Sequence, residues 1–481
     1  MHFVRIAICI FCACSFSGAR ADASIGPIYE EFSLTLAPGK RTEAAGPLFY
    51  SEQKESQQQI AVPPLFSRTY DPDVEAEEID ILYPLLTYDR FGGEYRFQIV
   101  QLFAFSGGKT QNEQQNRRFT LFPVYFEQRS KTPEFNYTAV FPFYGTLKNR
   151  LFRDEIHFAA FPLYARTIKK DVVTTNYVYP IFHLRQGDAM HGWQFWPLVG
   201  MEQKQVTQRT NRYDEIEILG GYDKRFVLWP VFLKNTTGIG TENPSRELSV
   251  LPLFTTQHSP KRDSFSSPWP LGLTVIDDRE KNYHEVGCPW PFIVFAHGEG
   301  KNTSRIWPFY SQAATTNLQS KFYLWPIYKV NRLKSPPLER ERTRILFFLY
   351  SDLRETNLET KDQMRRVDFL PFYTFRRDLE GKQRLQVLSL LEPFLPTNKS
   401  VERDYSPLWS LWRSEKNPKT KASSQSLLWN LYRRDMTPST TKTSALFGMV
   451  QHESSAQADR WRLFYIPFGR EPRNTASMGK P

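Results

Sequence analysis

The sequence predicts an all-β fold built as an array, and three observations carry that reading. A tetrapeptide of the form aromatic, Pro, aliphatic, aromatic recurs about every twenty residues, as Phe122-Pro123-Val124-Tyr125, Phe141-Pro142-Phe143-Tyr144, Phe161-Pro162-Leu163-Tyr164, Trp307-Pro308-Phe309-Tyr310 and Trp325-Pro326-Ile327-Tyr328. Between the tetrads, as in Phe135 to Lys148 and Asp154 to Lys169, β-branched and aromatic residues alternate with polar ones, which is the period of a half-buried strand. Helix-length apolar periodicity is absent. A short unit repeated along a chain builds one regular wall, whereas catalytic residues normally appear once and break the pattern.

The chain opens on Arg5, an apolar stretch from Ile6 to Phe16 and the small-x-small site Ala21-Asp22-Ala23. Residues 1–23 therefore read as a secretory signal peptide. Residues 24–481 read as a single β-repeat domain with a short irregular tail after about 470. Cys9, Cys12 and Cys14 belong to the signal, so the exported chain keeps Cys288 alone and forms no intramolecular disulfide. Burial and backbone pairing must hold such a chain together, which fits a bacterial envelope protein better than a small stapled extracellular domain. Beyond the signal no apolar run approaches the ~18 residues of a membrane helix. A membrane would have to be crossed by strands.

The unit starts early, at Gly26-Pro27-Ile28-Tyr29, Pro47-Leu48-Phe49, Pro64-Leu65-Phe66 and Tyr83-Pro84-Leu85, and continues through Tyr179-Pro180-Ile181-Phe182, Trp229-Pro230-Val231-Phe232 and Leu370-Pro371-Phe372-Tyr373. Toward the C-terminus the proline is replaced while the frame stays, as in Phe347-Phe348-Leu349-Tyr350 and Trp429-Asn430-Leu431-Tyr432. The spacing from Pro197 to Pro230 is too long for one unit and suggests a degenerate copy within Tyr213 to Tyr222. Turn chemistry falls at Lys131-Thr132-Pro133, Gly187-Asp188, Asn235 to Gly240, Gly298 to Asn302 and Asp378 to Gly381, so that one unit is one strand plus one turn. The expectation is an antiparallel meander of about two dozen strands. Mid-strand prolines lack a ladder donor and would line up as a crease across the sheet. The segment after each tetrad is basic, at Arg166, Arg185, Arg332, Arg376, Arg413 and Arg433, and a meander of this kind sends it alternately up and down.

Aromatic residues make up 15% of the chain, and 62 Lys and Arg against 51 Asp and Glu give a net charge of +11. That balance favours anionic partners such as lipid headgroups or acidic polysaccharide, while export argues against nucleic acid. A twenty-residue unit suits the ~9–11 residues of a tilted membrane strand with its turns. Closure would also remove the exposed edges of so long a meander. The expected protein is thus a large closed β-barrel in the outer membrane with a structural or permeation role, having the lipid bilayer or anionic envelope components as partners. The alternative is an elongated soluble β-sandwich or β-solenoid, periplasmic or extracellular, that binds anionic polysaccharide or lipid headgroups.

No constellation points to catalysis. His284, Glu285, Cys288, His297 and Glu299 are metal-capable types without a paired ligand spacing, which reads as scattered loop residues. Gly298-Glu299-Gly300-Lys301 with Thr303 lacks the upstream glycine and the strand-to-helix context of a phosphate loop and reads as a turn. The acidic stretch Asp71 to Asp80 lacks the donor spacing of a calcium loop. No nucleophile elbow or Cys-His pairing stands out. Asn136, Asn235, Asn302 and Asn398 open glycosylation triplets that matter only for a eukaryotic chain. The expectation is a non-enzymatic protein with no catalytic residue, cofactor or metal.

Overall fold

The computed structural model describes residues 24–108, 117–210, 214, 216–456, 459–464 and 466–470. The signal segment with its three cysteines, Tyr213 and the tail after 470 lie outside the described residues. The alternating segments form strands of 4 to 8 residues, joined in one 43-stranded sheet. Strand Tyr144–Arg150 pairs antiparallel with Arg153–Ala159, that strand with Tyr164–Lys169, and so onward. The all-β class and the antiparallel meander are present.

The strand count corrects the expectation, and the tetrads are the reason. Val140 pairs with Tyr144 across 141–143, and Ala159 pairs with Tyr164 across 160–163. The tetrads are therefore reversals, not strand centres. The chain turns again at short polar links such as Lys170-Asp171, so one repeat holds two strands and two turns. The prolines do align, but along one edge of the sheet rather than as a crease through it. Every basic segment leaves that edge in the same direction, in place of the expected alternation.

Two local expectations are also corrected. Asn235 to Gly240 is not a turn, because strand Phe232–Ile239 runs through it and pairs with Ser245–Val250; β-branched Thr236 and Thr237 keep the backbone extended. Among the described residues no extra tetrad fills the gap before Pro230. Instead the hairpin Thr207–Thr210 with Ile216–Leu219 forms its own small sheet, while Val199–Lys204 pairs directly with Gly221–Val227. Among the described residues Glu30–Ser33 pairs with Gly39–Ala44, Ile466–Arg470 pairs with Asp459–Leu463, and no pairing joins the first strand to the last.

Contacts group the chain into two units. In the unit Pro84–Leu370 one sheet face carries small and polar residues that are buried, among them Ala165, Asn176, Ser249, Ser266, Thr274 and Ser311. They satisfy one another: Ser249 and Ser266 share hydrogen bonds of 2.7 and 2.8 Å with Thr255 and Thr274. An apolar cluster of Tyr137, Ala139, Leu147, Phe158 and Ala165 lies on the same unit. The other unit combines the chain up to Tyr83 with the chain from Pro371. Here the excursion 388–411 leaves the tetrad edge and carries two short helices, Lys399–Asp404 and Ser406–Trp409. The first is capped by Asn398, whose Oδ1 accepts from the Val401 N–H at 2.9 Å, so this predicted glycosylation triplet supplies a helix cap.

Candidate functional site

The edge built by the tetrads is apolar throughout the unit Pro84–Leu370. The residues flanking the turns form one unbroken cross-strand row, Tyr164, Tyr177, Phe182, Phe195, Val199, Val227, Phe232, Val250 and Phe254. The tetrad aromatics stack from one turn to the next, Phe141 on Phe161 at 5.3 Å, Trp196 on Trp229 at 5.9 Å and Trp307 on Trp325 at 5.8 Å. Such pairs stabilise by about 0.5–1.5 kcal/mol beyond burial. They pack against one another without being covered, since Trp229, Trp307 and Trp325 stay exposed.

Four residues further along the strands from Phe182 onward and on the same face, the row is polar: Gln186, His191, Gln203, Asp223, Thr236, Arg246, His258, Asp263, Asp277, His284 and His297, whereas the strands of Tyr164 and Tyr177 carry Ile168 and Val173 there. The row midway between the apolar and polar rows is mixed, with Leu184, Trp193 and Leu248 beside Arg166, Arg225 and Lys234, so at ~3.3 Å per residue the wholly apolar band ends roughly 7 Å from the first row. The sheet is thus amphipathic along its strands, from an apolar rim to a polar one.

Backbone donors are satisfied at the rim turns 160–163, 178–181, 228–231 and 324–327. The Ala160 N–H donates to Phe143 O at 2.5 Å, Phe161 N–H to Pro142 O at 2.7 Å and Leu163 N–H to Ala160 O at 2.8 Å. Proline occupies the one remaining slot and has no N–H to satisfy. The same three bonds recur at 178–181, 228–231 and 324–327.

At many of the reversals the residue that opens the turn sits in the left-handed region, where glycine, asparagine and aspartate are the usual occupants. Here the occupants are Leu82, Val100, Ala160, Val178, Leu228, Leu324, Leu346, Leu428 and Leu446, with φ between 44° and 52°. Most point outward, Leu228 and Leu324 being 55% and 53% exposed. At the opposite rim the left-handed positions are Glu55, Glu75, Asn149, Lys170, Asp188, Asn282 and Lys421. Leu151 and Phe152 are exceptions on that polar rim, and nothing in the structure explains them. Backbone geometry is the same at both rims, so the apolar choice at one of them answers to its surroundings.

In the unit formed by the two chain ends, a buried arginine organises the polar face. Arg403, on the first helix, donates from Nε to Ser67 Oγ at 2.8 Å, from Nη1 to Thr69 Oγ1 at 2.7 Å and to Glu78 at 3.0 Å, and from Nη2 to Asp80. Its carbonyl accepts from the Tyr50 hydroxyl at 2.9 Å. The acidic stretch Asp71 to Asp80 is therefore divided. Glu78 and Asp80 take a guanidinium of the protein, Glu77 pairs with Arg68 and Asp71 accepts from Ser56. Sequence reasoning missed Arg403 because its partners lie more than 320 positions away.

Next to it, Asp404 is 1% exposed. Burial pushes its carboxyl up to about 6, against the pull of the Arg403 cation. The folded pKa exceeds the ~3.9 of an unfolded aspartate, so the group favours folding below about pH 4 and that contribution is lost as pH rises through about 6. Asp404→Asn is expected to raise the urea midpoint at pH 7.5, by roughly 3 kcal/mol of stability at 1.36 kcal/mol per pKa unit, and to leave it unchanged near pH 4. An equal shift at both pH values would reject this account.

The metal-capable types are not brought to one site. His284 and His297 are cross-strand partners on the exposed face, while Glu285 is buried on the other face and accepts from the Tyr283 hydroxyl and from Trp290 Nε1. Cys288 is exposed. Among the described residues no group of three or more His, Cys, Asp or Glu is placed to hold a metal. Gly298 to Lys301 is a hairpin reversal between Ile293–His297 and Lys301–Ile306. No family model and no curated protein matches the chain.

Proposed function

We propose that the protein is a non-enzymatic structural component of the cell envelope that seats its tetrad rim in the acyl layer of a membrane. The observation that carries this reading is the run of exposed Leu and Val at left-handed turn positions, where water would favour Gly, Asn or Asp. Satisfied turn donors support it, because an unpaired N–H in hydrocarbon costs several kcal/mol. The strands, at 4 to 8 residues, are shorter than the ~9–11 of a spanning strand. Seating the rim alone fits that length better than the transmembrane barrel expected from the repeat length. The basic segments, all directed away from the rim, would stand on the aqueous side.

Flotation of the full chain with phosphatidylcholine vesicles tests the reading. Binding is expected to persist at roughly 0.5 M salt, where the Debye length is only a few ångströms, because the contact is apolar. Loss of flotation in salt, or none at any salt, would sink the proposal.

A further inference from the structure

A cavity of about 710 Å³ opens on the polar face of the unit formed by the two chain ends. Eight Lys and Arg line it against five Asp and Glu. Its basic wall is a cross-strand row in which Arg376 lies directly opposite Arg384, Arg384 opposite Glu415, and Arg413 opposite Gln386. Like charges placed directly opposite on a sheet repel. Two carboxylates answer three guanidiniums. Glu402, from the first helix, accepts from Arg376 Nη1 at 2.5 Å and from Arg384 Nη1 at 2.8 Å, while Glu415 lies 2.6 Å from Arg413 Nη2 and 3.6 Å from Arg384 Nε. Arg376 Nε and Nη2 are buried with no hydrogen-bond partner. Burial, reinforced by the Arg413 cation, pulls Arg384 below the usual arginine range. The wall is short of negative charge and of acceptors.

We propose that this cavity binds a small ligand through a phosphate group, with Arg376 and Arg384 as adjacent forks and Arg413 beside them. Guanidinium forks match tetrahedral oxyanions in geometry and stay charged at any physiological pH. A phosphate monoester offers three acceptor oxygens and close to two charges, enough to bridge neighbouring forks. Glu402 holds the two forks together when the cavity is empty and competes with the ligand for them.

Titration calorimetry of the full protein with inorganic pyrophosphate tests the site, alongside flotation with phosphatidylcholine vesicles with and without phosphatidic acid. Arg376→Gln and Arg384→Gln are expected to weaken binding tenfold or more, and Arg166→Gln, an exposed residue of the other unit, to leave it unchanged. Glu402→Gln is expected to strengthen binding severalfold while lowering the melting temperature of the free protein, a pair of effects that a merely structural carboxylate would not produce. If the arginine variants fail to fold, the Glu402→Gln titration decides alone. Pyrophosphate binding assigns a soluble phosphate ligand. Binding only to phosphatidic acid vesicles, lost in the same variants, assigns a lipid headgroup. Binding of neither probe, or a Glu402→Gln affinity no higher than that of the natural protein, overturns the proposal.

Discussion

Arg403→Met is expected to destabilise the protein by roughly 3–5 kcal/mol, the usual result of removing one partner from a buried ion pair. Arg403 is 6% exposed and Asp80 3%, so the variant strands a buried carboxylate together with the hydroxyls of Ser67 and Thr69. The helix Lys399–Asp404 would lose its main polar attachment to the hairpin Phe66–Asp71 and Ala76–Ile81. Urea unfolding followed by tryptophan fluorescence reads the loss. The contrast is Arg68→Met: Arg68 pairs with Glu77 at 2.6 Å but is 48% exposed, and its loss should cost under about 1 kcal/mol. The double change Arg403→Met with Asp80→Leu should recover part of the deficit, because replacing both members of a buried pair by apolar groups is often neutral. A deficit for Arg403→Met no larger than that of Arg68→Met would refute this account of the buried arginine.

The fold class and the repeat were legible because both are local. A period near twenty and the alternation in segments such as Asp154 to Lys169 do not depend on what the chain meets later. The position of the reversals was not legible. Turn chemistry is recognised by Gly, Asn, Asp and polar neighbours, yet here the reversing residues are Ala160-Phe161-Pro162-Leu163 and Leu228-Trp229-Pro230-Val231, which read as the apolar centre of a strand. The signal available was proline itself, since a sheet interior excludes it; taken at full weight, it would have moved the tetrads to the edge. Basic residues after each tetrad were visible, but their convergence was not. Arg376 and Arg384 meet only through a register that the turn at Asp378 to Lys382 sets, and Glu402 reaches them from a helix that no periodicity announced.

The rim can be tested without disturbing the fold, because several of its half-exposed side chains occupy positions that the backbone would rather give to glycine. In Val178→Gly, Leu228→Gly, Leu324→Gly and Leu346→Gly combined, each site sheds a left-handed penalty of about 1–2 kcal/mol. Each also incurs about 0.5–1 kcal/mol from the greater freedom of glycine in the unfolded chain. Stability in the absence of lipid is therefore expected to hold or rise slightly, as read by the urea midpoint. Membrane affinity is expected to move the other way. About half of each side chain is still open to solvent, so its transfer to hydrocarbon is worth about 1 kcal/mol, or half the ~1.5–3 kcal/mol of a fully buried Leu or Val. Four such losses sum to about 4 kcal/mol, close to a thousandfold in partitioning at 1.4 kcal/mol per tenfold. A variant that is equally stable yet floats as well as the natural protein would show that the rim does not face lipid. One that is several kcal/mol less stable would show instead that these side chains belong to the packing of the sheet. Only a stable protein that has lost its vesicles fits a rim whose sequence was chosen for the medium around it.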